Sequence, residues 1–592
     1  MRILLLCHSF NSLAQRLHVE LREARHAVTV ELDIHDSITE EAVALFRPDL
    51  VIAPFLKRAI PESVWRRCRC LIVHPGIKGD RGPSALDWAI LRQEREWGVT
   101  VLEANGVFDA GDIWASRRFP MREATKGSLY RNEISETAVS CIFEAIEKVS
   151  SGTEYAQALD YSSCDVVGRP HPPIRKPDRS VDFALHDTDE ILRRIRSADG
   201  TPGAAGEWFG EEFHFYDAYP DGGLRGEPGR LIGKRNGAVC VGTTDGAVWI
   251  GHLRRDQKDE LPPLKLPAVA VLGEQKLVGV PELPPWRGRT YRDLWYEERN
   301  EVGYLHFPFY NGAMSVDHCA RLRRALKKAK LRPTKVIVLL GGPEFWSNGI
   351  HLAVIENATS PAEESWRNIE AMNDLVLEIV DTPHHITISA LQGNAGAGGA
   401  FLALAADHVW ARNGVVLNPH YKGMGNLYGS EYWTYLLPGR TGNARASEIA
   451  QARLPVGANE ALRWRLIDDC FGENPEKFVL LVKERAEALA ADRALAHFVE
   501  EKRRRREHDE AIKMLACYRM EELERMKLNF FGFDPSYHIA RYNFIRHVPK
   551  SRTPSYLANH RSTRRAGLES NGLLYIHVEG AFGCRDTVQG EQ

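Results

Sequence analysis

A histidine that ends a short apolar run and an aspartate in a later loop form the first pairing in this sequence capable of acid–base chemistry. Leu71-Ile72-Val73-His74 runs into the loop Pro75-Gly76-Ile77-Lys78-Gly79-Asp80-Arg81-Gly82-Pro83, and Val107-Phe108-Asp109-Ala110-Gly111-Asp112 follows. An imidazole at a strand's carboxyl end, facing a carboxylate, can act as acid or base near neutral pH. Taken alone, a His beside a Gly/Pro turn reads as structural. A second set lies beyond residue 340. Phe345-Trp346-Ser347-Asn348-Gly349-Ile350 follows a strand, and Gly393-Asn394-Ala395-Gly396-Ala397-Gly398-Gly399-Ala400-Phe401 opens a helix. Glycines at a helix start leave backbone N–H groups facing outward, where the helix dipole favours negative charge. Close helix packing is the alternative for either segment alone. The stretch from Tyr421 to Tyr435 is rich in polar and aromatic groups, and Glu431 and Tyr435 stand four apart, on one face if that segment is helical.

The elements that must position these groups are legible as periodic apolar runs. Over residues 1–165, strands at Ile3–Cys7, Ala27–Leu32, Leu50–Ala53, Leu71–His74 and Gly98–Glu103 alternate with helices at Ser12–Arg25, Glu40–Phe46 and Leu86–Glu96. This βα alternation predicts a mainly parallel, Rossmann-like sheet with its ligand at the strands' carboxyl ends. Residues 166–285 carry short Gly-punctuated segments such as Ala238–Val241 and Val248–Ile250, predicting a small β-rich, barrel-like module. A further α/β unit with a helical C-terminal part spans 286–545, and 546–592 read as a tail whose last twenty-odd residues are weakly patterned. The fold class is therefore multidomain α/β. Glu500–Glu507 mixes charge signs at helical spacing and reads as a solvated face.

Composition narrows the function classes. The 592 residues are 44% apolar and 26% charged, an ordinary globular balance. Lys plus Arg total 77 against 79 acidic residues, a net charge of −2 that gives no support for nucleic-acid binding. Ten scattered Cys fit a reducing, cytoplasmic setting, and no ligand spacing points to a metal. Ile386–Ala406 is long and uncharged, yet it holds four Gly and several polar residues, so a strand, a glycine turn and a buried helix explain it better than a membrane span.

The order His74…Arg81-Gly82…Asp109 resembles the formyltransferases that use 10-formyltetrahydrofolate, over roughly residues 1–280. The resemblance implies His74 and Asp109 as the catalytic pair. It also places Pro54, Phe55 and Leu56, with Val107 and Phe108, around the folate pterin, and Arg81 in the family loop. One departure is visible: the family's Asn two residues before the His is Ile72 here. Losing such an oxyanion donor costs roughly 3–4 kcal/mol if nothing replaces it, so either the transfer is lost or the acceptor is easier than an amine, such as a thiol.

The Ser347–Leu352 and Gly393–Phe401 segments together resemble the crotonase family of enoyl-CoA hydratases and isomerases, over about residues 300–490. That resemblance implies backbone N–H groups of Ile350 and Gly398 around a thioester oxygen. Phe401 and Tyr421 stand where the hydratases carry their two catalytic Glu, so water addition is not expected. A formyltransferase followed by such a unit resembles the HypX/HoxX family of nickel-iron hydrogenase maturation factors. The resemblance implies formyl transfer from the folate to coenzyme A, then splitting of formyl-CoA into carbon monoxide for the hydrogenase iron. Glu431, aided by Tyr421 or Tyr435, would manage the formyl proton. Lys126, Ser128 and Arg131 would bind CoA phosphates, with surface solvation as their plainer reading. Transient contact with hydrogenase maturation proteins is implied, and neither nucleic acid nor membrane. A formyl-CoA hydrolase, an amine formyltransferase or a non-catalytic CoA-sensing scaffold are the competing classes.

Overall fold

The apolar runs of the N-terminal unit, buried on both faces, form strands β1 (Arg2–Cys7), β2 (Ala27–Leu32), β3 (Leu50–Phe55), β4 (Cys70–His74), β5 (Glu96–Glu103) and β6 (Ile113–Pro120). In this computed structural model, which describes residues 1–152, 155–256 and 263–561, their order is β2-β1-β3-β4-β5-β6. The first four are mutually parallel, and β4–β5 and β5–β6 are antiparallel. The chain departs from β1 first to one side and then to the other, so the crevice beyond β1 and β3 is a topological switch point. His74 ends the neighbouring strand at the same edge.

Residues after 175 form the antiparallel strands β7 (Ala204–Trp208), β8 (Glu211–Asp221), β9 (Leu231–Arg235), β10 (Ala238–Gly242) and β11 (Ala247–Arg255), in the order β7-β8-β11-β10-β9. In the third unit the strands Val302–Phe307, Val336–Gly341, Ile386–Leu391 and His408–Ala411 pair in parallel in that order, and Trp295–Arg299 joins the edge antiparallel. A smaller sheet of Phe345–Ser347, Asn394–Gly396, Val416–Asn418 and Val456–Gly457 lies at the site end. The uncharged stretch from Ile386 is thus a strand, a turn and the buried helix Gly398–Leu404. Among the described residues no helix is long and apolar enough to cross a membrane.

Helices Pro475–Ala491, Leu495–Ile512, Leu515–Phe531 and Ser536–Ile545 follow. In the Glu500–Glu507 run, Lys502 departs from the expected solvated face. It is buried, and its Nζ donates to Asp407 Oδ2 (2.6 Å) and the His385 carbonyl (2.9 Å). The first and third units are locked together by charge. Arg16 Nη2 donates to Glu136 Oε2 (2.9 Å) and Arg412 Nη1 to Glu136 Oε1 (2.7 Å). Beside them Asn418 Nδ2 donates to Gln15 Oε1 (3.0 Å).

The chain from 546 to 561, read from the sequence as the start of a tail, returns to the first unit as a strap. Leu32 N donates to Thr553 Oγ1 (2.8 Å) and Val30 N to the Leu557 carbonyl (3.1 Å). The fully buried Glu31 carboxylate accepts from Thr553, meets His560 Nε2 (2.8 Å) and pairs with Arg561 Nη2 (2.9 Å). The weakly patterned residues 562–592 lie outside the described residues. Burial alone would raise the Glu31 carboxyl, but the bonds from His560, Thr553 and Arg561 outweigh it and hold it below its usual value. A carboxylate lowered in the folded state stabilises above its unfolded pKa, and the contribution is lost as pH falls through the lowered value. Protection of the 553–561 amides, measured by hydrogen exchange corrected for intrinsic rates, is therefore expected to fade below about pH 4. Glu31→Gln should remove about 3 kcal/mol of that local protection at neutral pH.

Candidate functional site

Where β4 ends, the chain folds back over His74. A Cβ on Gly76 would stand 2.4 Å from His74 Nε2 and 2.6 Å from Asp80 Oδ2, so this close approach admits glycine alone. The turn closed by Asp80 N donating to the Ile77 carbonyl (2.9 Å) brings Asp80 Oδ2 to 2.7 Å from His74 Nε2, both side chains buried. On the other ring nitrogen, Asp109 Oδ1 lies 3.6 Å from His74 Nδ1. Asp109 takes a left-handed backbone (φ 51°), and its Oδ2 accepts from Gly82 N (3.2 Å). One imidazole thus lies between two carboxylates, an arrangement that orients the ring with one carboxylate at each nitrogen.

In the third unit, the turn after Ile386–Leu391 places Ala397 at φ 48°, ψ −129°, its N–H donating to the Asn418 carbonyl (2.9 Å). This strained conformation presents Gly398 at the start of its helix. Gly349, in the left-handed region at φ 76°, runs so close that a Cβ there would lie 3.2 Å from Gly398 N. The two glycine-bearing segments therefore meet. Over them hangs Glu431, 1% exposed, whose Oε1 would lie 2.4 Å from a Cβ on Gly398. Tyr421 Oη donates to Glu431 Oε2 at 2.5 Å and lies 2.8 Å from the Ser430 carbonyl. Burial pushes the Glu431 carboxyl up to about 8, against the Tyr421 hydrogen bond and with help from the charge of Glu522. Burial, then the Glu431 charge, raises the Tyr421 phenol well above its ordinary value. Phe401 stacks on Tyr421 with ring centres 5.1 Å apart and backs that ring from outside the cavity that Tyr421 lines.

One continuous cavity of about 2280 Å³ reaches both places. His74, Asp109, Pro54, Phe55, Leu56, Val107 and Phe108 line one end, and Ile350, Gly398, Tyr421 and Glu431 the other. Ile72 also faces it, an apolar side chain where an amide would be expected. Arg81 does not line it. Its Nε donates to the Phe108 carbonyl (3.1 Å) and so holds the Val107–Phe108 loop. Of the three groups expected on phosphates, Arg131 and Lys126 line the cavity while paired with Glu344 (2.7 Å) and Asp87 (3.0 Å). Ser128 does not: it is buried, and its Oγ accepts from Arg122 Nη2 (3.0 Å).

Tyr435 corrects an expectation. The backbone is left-handed at both Glu431 and Tyr432, and the helix starts only at Trp433, so Glu431 and Tyr435 share no helical face. Tyr435 Oη instead donates to Asp509 Oδ2 (2.8 Å) and accepts from Arg506 (3.0 Å), outside the cavity lining. Sequence reasoning passed over Asp80, although it stands in the same loop as His74. It also passed over His351, a buried cavity-lining imidazole lowered to about 3 by burial, and the cavity-lining Lys265 and Arg546. His351 adjoins Ile350 in a segment singled out for its backbone, whereas Lys265 and Arg546 come from distant segments with no shared motif.

Family models match the chain in three places: formyl transferase over residues 2–146, formyl transferase C-terminal domain over 173–266 and enoyl-CoA hydratase/isomerase over 302–521. The hydrogenase maturation factor HoxX of Bradyrhizobium diazoefficiens is 53% identical over 569 residues, covering 96% of this chain and 98% of that protein. The crystal structure of HypX from Aquifex aeolicus in complex with tetrahydrofolic acid superposes with a TM-score of 0.91 at 50% identity, covering 95% of this chain and 99% of that one. A methionyl-tRNA formyltransferase of Desulfotalea psychrophila is 27% identical over 215 residues, 34% of this chain and 65% of that protein.

Because Asp80 orients the imidazole and covers one of its nitrogens, Asp80→Asn should cut formyl transfer by about 10²-fold or more while folate affinity stays within about twofold. Single-turnover transfer kinetics beside a folate titration check both halves.

Proposed function

The chain belongs to the HoxX/HypX family of hydrogenase maturation factors, and from that premise we propose that it moves a formyl group from 10-formyltetrahydrofolate to the thiol of coenzyme A and splits the product into carbon monoxide and free thiol. The observation that carries this reading is the single cavity joining His74 and Asp109 to Gly398 and Glu431. A thiol on a long flexible arm could collect the formyl group at one end and deliver it to the other without leaving the protein.

At the first end, Pro54, Phe55, Leu56, Val107 and Phe108 would flank the pterin, and Arg81 would steady that wall through the Phe108 carbonyl. His74, oriented by Asp80, would take the proton of the attacking thiol and give it to the folate nitrogen as that leaves, and Asp109 would hold the imidazolium charge in between. A thiolate needs less activation than an amine, which is consistent with Ile72 in place of an amide donor. Arg131, Lys126 and other cavity cations offer partners for phosphates.

At the second end, Ile350 and Gly398 N–H groups would hold the thioester oxygen. The formyl C–H and C–S bonds both break there: the C–H pair stays on carbon as the lone pair of carbon monoxide, and the C–S pair leaves on sulfur. Glu431 would take the formyl proton and hand it to that sulfur. With its carboxyl near 8, against about 8.5 for a free thiol, the handover to sulfur lies close to balance, which an ordinary carboxylate near 4.3 would not allow. Phe401, behind Tyr421 and in the place of a hydratase carboxylate, would supply no base to activate water and so would disfavour hydrolysis to formate. The reducing cytoplasm, where thiols persist, fits the nine free cysteines among the described residues. Hydrogenase maturation proteins would be transient partners.

Formyl-folate carrying a ¹³C formyl group, mixed with CoA and the protein, should yield ¹³C carbon monoxide. His74→Ala should slow this by about 10²-fold or more yet leave release from supplied formyl-CoA intact. Glu431→Gln should do the reverse and let formyl-CoA accumulate. Since the anionic form accepts the proton, release from formyl-CoA should rise with pH through about 8. Formate without carbon monoxide would overturn the reading.

A further inference from the structure

Glu431 and Tyr432 both sit in the left-handed region, at φ 61° and 57°, and neither is glycine. Such a pair persists only where its surroundings over-determine it, and two helices do so here. From Pro361–Val380, Asn373 Oδ1 accepts from Ser430 Oγ (2.9 Å) and Glu431 N (2.7 Å). From Leu515–Phe531, Glu522 Oε2 accepts from Tyr432 N (2.9 Å), and its Oε1 from Thr434 N (2.9 Å) and Thr434 Oγ1 (2.5 Å). Glu522 is 0% exposed, and among the described residues it has no ion-pair partner. A carboxylate buried without a cation is costly, and here its charge is balanced by backbone and hydroxyl donors on one turn.

We propose that Glu522 is a positioning residue of the second site: it clamps the backbone turn that carries Glu431 and sets, across that turn, the charge environment in which the Glu431 carboxyl exchanges its proton. This rests on reading Glu431 as the proton-handling group. Both oxygens of Glu522 act as acceptors, the role of an ionised carboxylate, and that charge adds to burial in raising Glu431. Burial also raises Glu522, to about 7, against its bonds from Thr434 and Tyr432. The other titratable and charged groups around the turn are Tyr421, Tyr428 and Tyr432, the buried thiol of Cys319 on the helix Val316–Ala329, and Arg519 on the helix of Glu522 with its partner Asp374 on the helix of Asn373. The ionised Glu522 adds to the burial that makes Glu431 a proton carrier matched to a thiol.

The test is infrared difference titration of the full chain, following the protonated-carboxyl band that Glu431→Gln removes, beside the kinetics of carbon monoxide release from supplied formyl-CoA. In Glu522→Gln the band midpoint and the pH–rate midpoint should both fall by about one unit. The release rate should drop at least about tenfold with KM within about twofold, while formyl transfer from folate is unchanged. Glu522→Asp, which keeps the charge on a shorter arm, should restore the midpoints. Should Glu522→Gln fail to fold, Thr434→Val removes one bond to the carboxylate and is read the same way, with a lowered release rate at unchanged KM expected. An unmoved band with unchanged release in Glu522→Gln, or a lowered melting temperature with an unmoved band, overturns the proposal while Glu431→Gln still abolishes release. Parental release from Glu431→Gln would instead overturn the reading of Glu431 and this inference with it.

Discussion

Glu136 is shared by two guanidinium groups, Arg16 of its own unit and Arg412 of the third, and the rest of the site depends on that contact. Both arginines are nearly buried, so Arg412 left without the carboxylate would be an uncompensated charge in a poor solvent, while Arg16 would keep Glu20 alone. The triad therefore fixes the spacing of the two units more firmly than apolar contact alone would. Arg131 with Glu344 adds a second charged link where the cavity crosses between the units. A small separation here would flood the interior with water and raise its dielectric, weakening each electrostatic interaction at both ends. The strap at 546–561, pinned by Glu31, ties the C-terminal helices back across the same boundary.

The two ends of the cavity use carboxyl groups in opposite ways. At the first, Asp80 and Asp109 flank an imidazole and orient its ring, one at each nitrogen. At the second, no His, Lys or Arg pairs with Glu431 among the described residues, and burial raises its carboxyl far above the ordinary range. The same residue type serves differently because one environment sets it beside an imidazole and the other buries it without a basic partner.

Much of this was readable from residues alone. The apolar runs gave β1 to β5 nearly to the residue, since strands buried on both faces carry little ambiguity. His74, Asp109, Ile350, Gly398, Tyr421 and Glu431 were all nameable, and all six line the cavity. Tyr435 misled because an i,i+4 spacing implies a shared face only if the segment is helical, and Glu431 and Tyr432 break the helix before it starts. Glu522 was lost inside a charged helical stretch, although it stands on the buried stripe with Leu515, Met526 and Phe530. An acid on an apolar face was the available signal. Arg16, Glu136 and Arg412 had none, for they are 120 and 276 residues apart and only tertiary structure joins them.

The central claim is that the formyl group travels inside the protein, and isotope dilution tests it most directly. The protein would turn over ¹³C-formyl-folate with CoA in the presence of a large excess of unlabelled formyl-CoA, and the ¹³C consumed from folate would be followed into carbon monoxide and into the bulk formyl-CoA pool. Internal passage predicts that nearly every ¹³C formyl group consumed appears as ¹³C carbon monoxide, with almost none entering the pool. Most of the ¹³C trapped in the bulk formyl-CoA would mean that the thioester escapes to solvent between the two ends, and would contradict the account.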